Sequence, residues 1–259
     1  MGILNVTPDS FSDGALFFDP TSAIQKGHEL AAQGADILDI GAESTRPGYQ
    51  PVTPAEQLDR LLPVLDGLKY VGLPISIDTT SAEVAHHVLS AGAHIINDVS
   101  GGLADPDMIP LLANRDADYI CQWWTNWPSH KFSPSGTDHP IWQRTIDELC
   151  ARRDECLAAG MQPGHIVLDP GLGFGKSAGD NWRILAHIDA ITDLGHRVLI
   201  GASRKRFLGV DSTMEQRDDS GTAITAWCAQ HGVWAVRVHN IGPNRQAIDV
   251  IEHLEQNAG

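Results

Sequence analysis

The chain has 259 residues, of which 42% are hydrophobic and 20% charged, the make-up of an ordinary globular protein long enough to bury one large core. Its formal net charge of −15 works against nucleic acid and anionic membrane as partners, so an anionic substrate would have to meet a local positive pocket. No stretch reads as a bilayer span or a signal peptide, and Cys121, Cys150, Cys156 and Cys228 show no metal spacing, so the expectation is a cytoplasmic protein with free thiols.

In chain order, Met1-Gly2-Ile3-Leu4-Asn5 already reads as a buried strand, with almost no leading segment. Asp19-Pro20 starts the first helix. Thr53-Pro54-Ala55-Glu56 is a capping box, followed by an apolar face of Leu58, Leu61, Leu62 and Leu65. Thr80-Ser81-Ala82-Glu83 reads as a second box. Ile184, Leu185, Ile188 and Ile191 line a later helix, and Ala247, Ile248, Ile251 and Leu254 the last one. A loose repeat runs through the chain: Gly34, Gly72, Gly92, Gly160, Gly195 and Gly232 each precede a short, β-branched apolar run. Glycine commonly ends a helix in a left-handed turn, and such runs suit parallel strands buried on both faces.

Strands are expected near 1–6, 36–40, 74–78, 93–97, 117–122, 165–169, 197–201 and 233–238, each followed by a helical pattern. The fold expected is α/β, a single (β/α)8 barrel over 1–259, with a doubly wound open sheet as the alternative. The irregular stretch from Gln122 to Pro140 is expected to be a loop on the active face.

In such a barrel, chemistry sits where strands end. Here buried-type residues run straight into polar ones: Ile77 into Asp78, Ile96 into Asn97, Leu168 into Asp169. A carboxylate at a dry strand tip needs a partner. Asp78, Asn97 and Asp169 are acceptors suited to the N–H edge of a flat heterocycle, and Lys205 could donate to its carbonyl; pterin and guanine edges both fit. The bland alternative for each is a structural strand-end group. Arg237 and His239, two apart on strand eight, share one side and suit a phosphate, unless Arg237 is tied up in a salt bridge to a rim aspartate. No Ser-His-Asp order, GxSxG elbow, Walker loop or HxxxH cluster appears, and the His28, His86 and His87 side chains are expected in solvent. A metal would be Mg²⁺ arriving with a pyrophosphate.

Taken together, the segment Asn5 to Gly14, Glu43-Ser44-Thr45-Arg46-Pro47-Gly48, Ile77-Asp78-Thr79, Ile96 to Gly101, Asp169-Pro170-Gly171, Ser203-Arg204-Lys205 and Arg237-Val238-His239 resemble the dihydropteroate synthase family, the target class of the sulfonamides. The resemblance spans nearly the whole chain. It implies condensation of 6-hydroxymethyl-7,8-dihydropterin pyrophosphate with p-aminobenzoate, with Mg²⁺, in a homodimer. By the same resemblance Asp78, Asn97, Asp169 and Lys205 bind the pterin. Asn5, Arg237 and His239 take the pyrophosphate, Asn5 also facing Mg²⁺. Thr45, Pro47 and Phe174 wall the p-aminobenzoate pocket, the backbone amide of Arg206 holds its carboxylate, and Phe11, Asp13 and Arg46 lie on two closing loops. There are departures: Cys121-Gln122 stands where the family usually has Met-His, beneath the pterin, Asn240 where it has Asp, and Ala42 where it has Gly. Two other readings share the acceptor edge, a methyltetrahydrofolate–corrinoid methyltransferase and a pterin-binding protein without turnover.

Overall fold

Eight short parallel strands form where the apolar runs lie: β1 (Gly2–Asn5), β2 (Leu38–Gly41), β3 (Ile75–Asp78), β4 (Ile95–Asp98), β5 (Asp118–Gln122), β6 (Ile166–Asp169), β7 (Arg197–Ile200) and β8 (Ala235–Val236). The structure is a computed structural model and describes residues 1–7, 19–43, 52–125 and 139–258. Each strand pairs with the next in sequence, in the order β1 to β8. The first and last meet through a parallel bridge from Gly2 to Val238, with Ile3 N–H donating to Val238 O at 3.0 Å and Val238 N–H to Met1 O at 2.9 Å. This seam removes both sheet edges, so the sheet is a closed barrel and the open alternative falls.

The helices around it are α1 (Pro20–Ala32), α2 (Pro54–Leu68), α3 (Ala82–Ser90), α4 (Met108–Leu112), α5 (Ile141–Ala158), α6 (Ala178–Ala186), α7 (Ile188–Thr192), α8 (Met214–Gln230) and α9 (Ile241–Gln256). Asp19 caps α1 by accepting from Thr21 and Ser22 N–H, and Thr53 caps α2 by accepting from Glu56 N–H. All six helix-ending glycines adopt positive φ. Among the described residues no helix is long and apolar enough to cross a membrane.

Local expectations shift in four places. The cap of α3 is Ser81, one residue later than expected, because its hydroxyl reaches Val84 N–H. The single helix expected through Ile191 divides at His187, whose φ of −117° and ψ of 30° leave the helical range and whose ring stacks on Trp142 at 4.5 Å. Its four apolar residues are nonetheless all buried. Leu62 and Leu254 are exposed, and Val64 and Leu68 complete the buried face of α2 instead. Most of the Gln122–Pro140 stretch lies outside the described residues.

The core has two layers. Residues such as Leu30, Leu38, Leu61, Leu65 and Ile184 pack between sheet and helices. Met1, Ile37, Ile95, Ile120, Val167 and Leu199 fill the lower barrel interior. Burying each such side chain contributes roughly 1.5–3 kcal/mol.

Candidate active site

Side chains two apart along a strand share a face. Stepping two residues up from the apolar interior therefore leads from Ile37 to Asp39, from Ile95 to Asn97, from Ile120 to Gln122, from Val167 to Asp169 and from Ala235 to Arg237. The lower interior is apolar and the upper interior polar, as the strand pattern implies.

Asp39 lies at the centre of this polar layer and is 0% exposed. It accepts from Ser76 Oγ at 2.6 Å, from Asn97 Nδ2 at 3.3 and 3.4 Å, and from Arg237 Nε at 2.6 Å. Arg237 also donates through Nη2 to Asp78 Oδ2 at 2.8 Å. The salt bridge that is the alternative to anion binding is thus present, and one guanidinium serves two carboxylates. Burial pushes Asp78 up to about 7; Arg237 opposes that, while the charges of Asp39, Asp98 and Glu43 add to it. Gly41 makes room here: a Cβ on it would lie 3.7 Å from Asp78 Oδ2 and 3.8 Å from Asn5 Oδ1, so Asn5 and Asp78 occupy one corner.

Asn97 is 2% exposed, and its Oδ1 has no hydrogen-bond partner among the described residues. A buried unpaired acceptor is costly unless a ligand completes it. Asp169 accepts from Gly171 N–H at 2.7 Å, and burial raises its pKa against the pull of Lys205. Burial brings the Lys205 ammonium down to about 8, with Asp169 opposing the fall. Lys205 donates to Leu172 O and lies 4.5 Å from the centre of the Phe174 ring. Phe174 also meets Trp124 edge-on at 4.8 Å, so it links the Lys205 side of the rim to the loop after β5.

His239 lies just beyond β8, with Ser203 Oγ 3.0 Å from its Nδ1 and accepting from its backbone N–H at 3.2 Å. The hydroxyl thus holds both the backbone and the Nδ1 edge of His239. With Nδ1 held by Ser203, Nε2 lies on the other side of the ring. Between Ser203 and Lys205, Arg204 holds φ of 60°, a strained value for a non-glycine, secured by Asp218 at 2.8 Å from both Nε and Nη2. Arg206 is exposed in the turn that follows.

The sequence pattern assigns no role to Asp39, Ser203 or Lys176. Lys176 donates to the carbonyls of Trp123, Gly171 and Phe174 at 3.2, 3.0 and 3.3 Å, tying together the loops after β5 and β6. Asp98, by contrast, is filled by Ser100, Gly102 and Tyr119 and serves as structure. Cys121 is not beneath the rim: strand alternation turns it outward into the core shared with Cys156 of α5, while Gln122 faces inward and donates to Val99 O at 3.2 Å. Phe11, Asp13, Thr45, Arg46 and Pro47 lie outside the described residues.

Residues 1–239 match the family model for pterin binding enzymes. The dihydropteroate synthase of Mycobacterium leprae is 41% identical over 97% of this chain and 91% of its own. This chain belongs to the dihydropteroate synthase family. Among solved structures, the Xanthomonas albilineans dihydropteroate synthase with 4-aminobenzoic acid is 36% identical, with a TM-score of 0.88 over 99% of this chain and 93% of that one. The Anaplasma phagocytophilum dihydropteroate synthase with bound 6-hydroxymethylpterin-monophosphate is 37% identical, with a TM-score of 0.87 over 98% and 97%. A dihydropteroate synthase barrel thus places its polar layer at the C-terminal strand ends, where such barrels carry their chemistry.

Proposed function

We propose that this chain joins 6-hydroxymethyl-7,8-dihydropterin pyrophosphate to p-aminobenzoate, giving 7,8-dihydropteroate and pyrophosphate. The observation that carries the reading is the buried acceptor row of Asp78, Asn97 Oδ1 and Asp169 beside the Lys205 ammonium. In this reading the row meets the amino and ring N–H groups of the pterin, and Lys205 donates to its carbonyl. Arg237, His239 and Asn5 hold the pyrophosphate. Phe174 lies along the p-aminobenzoate ring, and the backbone amide of Arg206 takes the carboxylate.

The C–O bond between the pterin methylene and the pyrophosphate breaks, and the pyrophosphate leaves with the electron pair. An anion drawn to Arg237 competes with Asp78 for Nη2, while Nε stays on Asp39. That frees the Asp78 carboxylate beside the cation developing on the methylene. The aniline nitrogen then forms the new C–N bond and releases its proton to solvent, so no strong base is required.

No group of three His, Cys, Asp or Glu among the described residues is arranged to hold a metal. The neutral Asn5 oxygen beside Asp78 fits a Mg²⁺ carried mainly by the substrate's phosphates, where the ion would neutralise charge on the leaving group. A homodimer belongs to the same reading, checked by light scattering.

The test is incubation with the pterin pyrophosphate, Mg²⁺ and p-aminobenzoate. Pyrophosphate and dihydropteroate appearing in equal amounts support the synthase. Binding of the pterin pyrophosphate with neither product identifies a pterin-binding protein without turnover.

A further inference from the structure

We propose that Asp39 is a positioning residue that fixes which end of the Asn97 amide faces the pocket, and so sets the site's selectivity for a ring carrying an N–H donor there. The inference rests on the reading of the rim as a pterin site.

An ionised carboxylate can only accept hydrogen bonds. Asp39 lies 3.3 and 3.4 Å from the Asn97 side-chain nitrogen, so the amide must turn its NH2 inward. Oδ1 then faces away from Asp39 with no described partner, a ready acceptor. Ser76 and Arg237 hold the carboxylate in place at 2.6 Å each, on opposite oxygens. Asp39 is 0% exposed and is not itself the group offered to the ring.

Asp39→Asn reverses this logic. Arg237 Nε can only donate, so it claims the oxygen of the introduced amide. The NH2 of that amide then points at Ser76 and Asn97. Asn97 must turn its oxygen inward to accept it, and its own NH2 now faces the pocket. A site that asked for a donor now offers one.

Two probes read this by calorimetry: 6-hydroxymethylpterin, and 6-hydroxymethyllumazine, in which a carbonyl oxygen replaces the 2-amino group. The wild-type protein is expected to bind the pterin and discriminate against the lumazine. Wild-type protein that binds neither overturns the pterin-site reading itself. In folded Asp39→Asn the affinity ratio of pterin to lumazine is expected to fall about tenfold or more, the effect of one mismatched buried hydrogen bond. The exchange Asp39→Asn/Asn97→Asp keeps the charge count and restores an acceptor to the pocket, so it is expected to recover the ratio, which mere loss of structure would not do. An unchanged ratio in folded Asp39→Asn, or no recovery in the exchanged protein, overturns the role of Asp39. If neither variant folds, the wild-type Asn97 side-chain amide protons decide: held by Asp39, their chemical shifts stay nearly fixed when the pterin is added, whereas a large shift means they bind the ring and the inference fails.

Discussion

Each end of the barrel holds an arginine against aspartate, and the two ends balance charge differently. At the lower mouth Arg197 grips Asp118 with both terminal nitrogens at 2.7 Å, His165 Nδ1 lies 3.0 Å from the same carboxylate, and Arg197 covers the Trp234 ring at 4.8 Å. Burial alone would raise Asp118, but Arg197 and His165 together hold it below the ordinary carboxylate range. At the upper rim one arginine faces two carboxylates, and burial drives Asp78 up to about 7. The lower pair is complete and locks the barrel. The upper set shares one guanidinium between two carboxylates and leaves the Asn97 acceptor without a partner among the described residues, an acceptor that a donor on a ligand can complete. Structural sites satisfy their groups from within; this rim leaves part of that task to what binds.

The largest effect is expected at Arg237. Arg237→Met leaves Asp39 and Asp78 without their shared cation, and stability is expected to fall by about 3–5 kcal/mol in urea titration. Turnover falls with it by about a hundredfold or more, as expected for loss of a charged group at the leaving anion. Stability and turnover both unchanged would refute the shared-cation account.

Arg197→Met is the lower-end counterpart. His165 still reaches Asp118, so the cost is expected to be about 1.5–3 kcal/mol. Turnover per folded molecule should match wild type, and a loss of turnover would show that the lower end supports the rim.

The raised Asp78 predicts a pH signature. Between about pH 4 and 7 the folded state holds a proton that the unfolded chain has released, so the Asp78 contribution lowers stability as pH rises through that window. Asp78→Asn removes the contribution, so the variant's stability relative to wild type should climb from about pH 4 to 7 and level off above. A flat difference would show that Asp78 titrates normally. Turnover of the wild type should rise as Asp78 ionises near pH 7 and fall as Lys205 loses its proton near pH 8, giving a narrow bell.

The smallest effect belongs to Ser203→Ala. It removes both contacts that hold His239, to Nδ1 and to the backbone N–H, so turnover should drop about fivefold for ~1 kcal/mol of lost positioning, with a melting temperature lower by a few degrees. A drop confined to p-aminobenzoate KM would place His239 elsewhere than at the pyrophosphate.

The frame of eight βα units is written in local pattern. Alternating glycine stops and β-branched runs specify eight βα units, since backbone period and helix caps are local properties. The period of two then carries Ile95 to Asn97 and Val167 to Asp169, so the strand pattern alone names the acceptor residues. What the chain pattern could not express is pairing across the barrel. Asp39 meets Arg237 from 198 residues away only because β8 closes against β1, and it meets the Asn97 amide from 58 residues away across the same layer. The break at His187, the outward turn of Cys121 and the Lys176 tie also follow from packing between elements rather than from propensity within one. Local rules fix where a side chain leaves the backbone, while closure of the barrel decides which charges must share a partner.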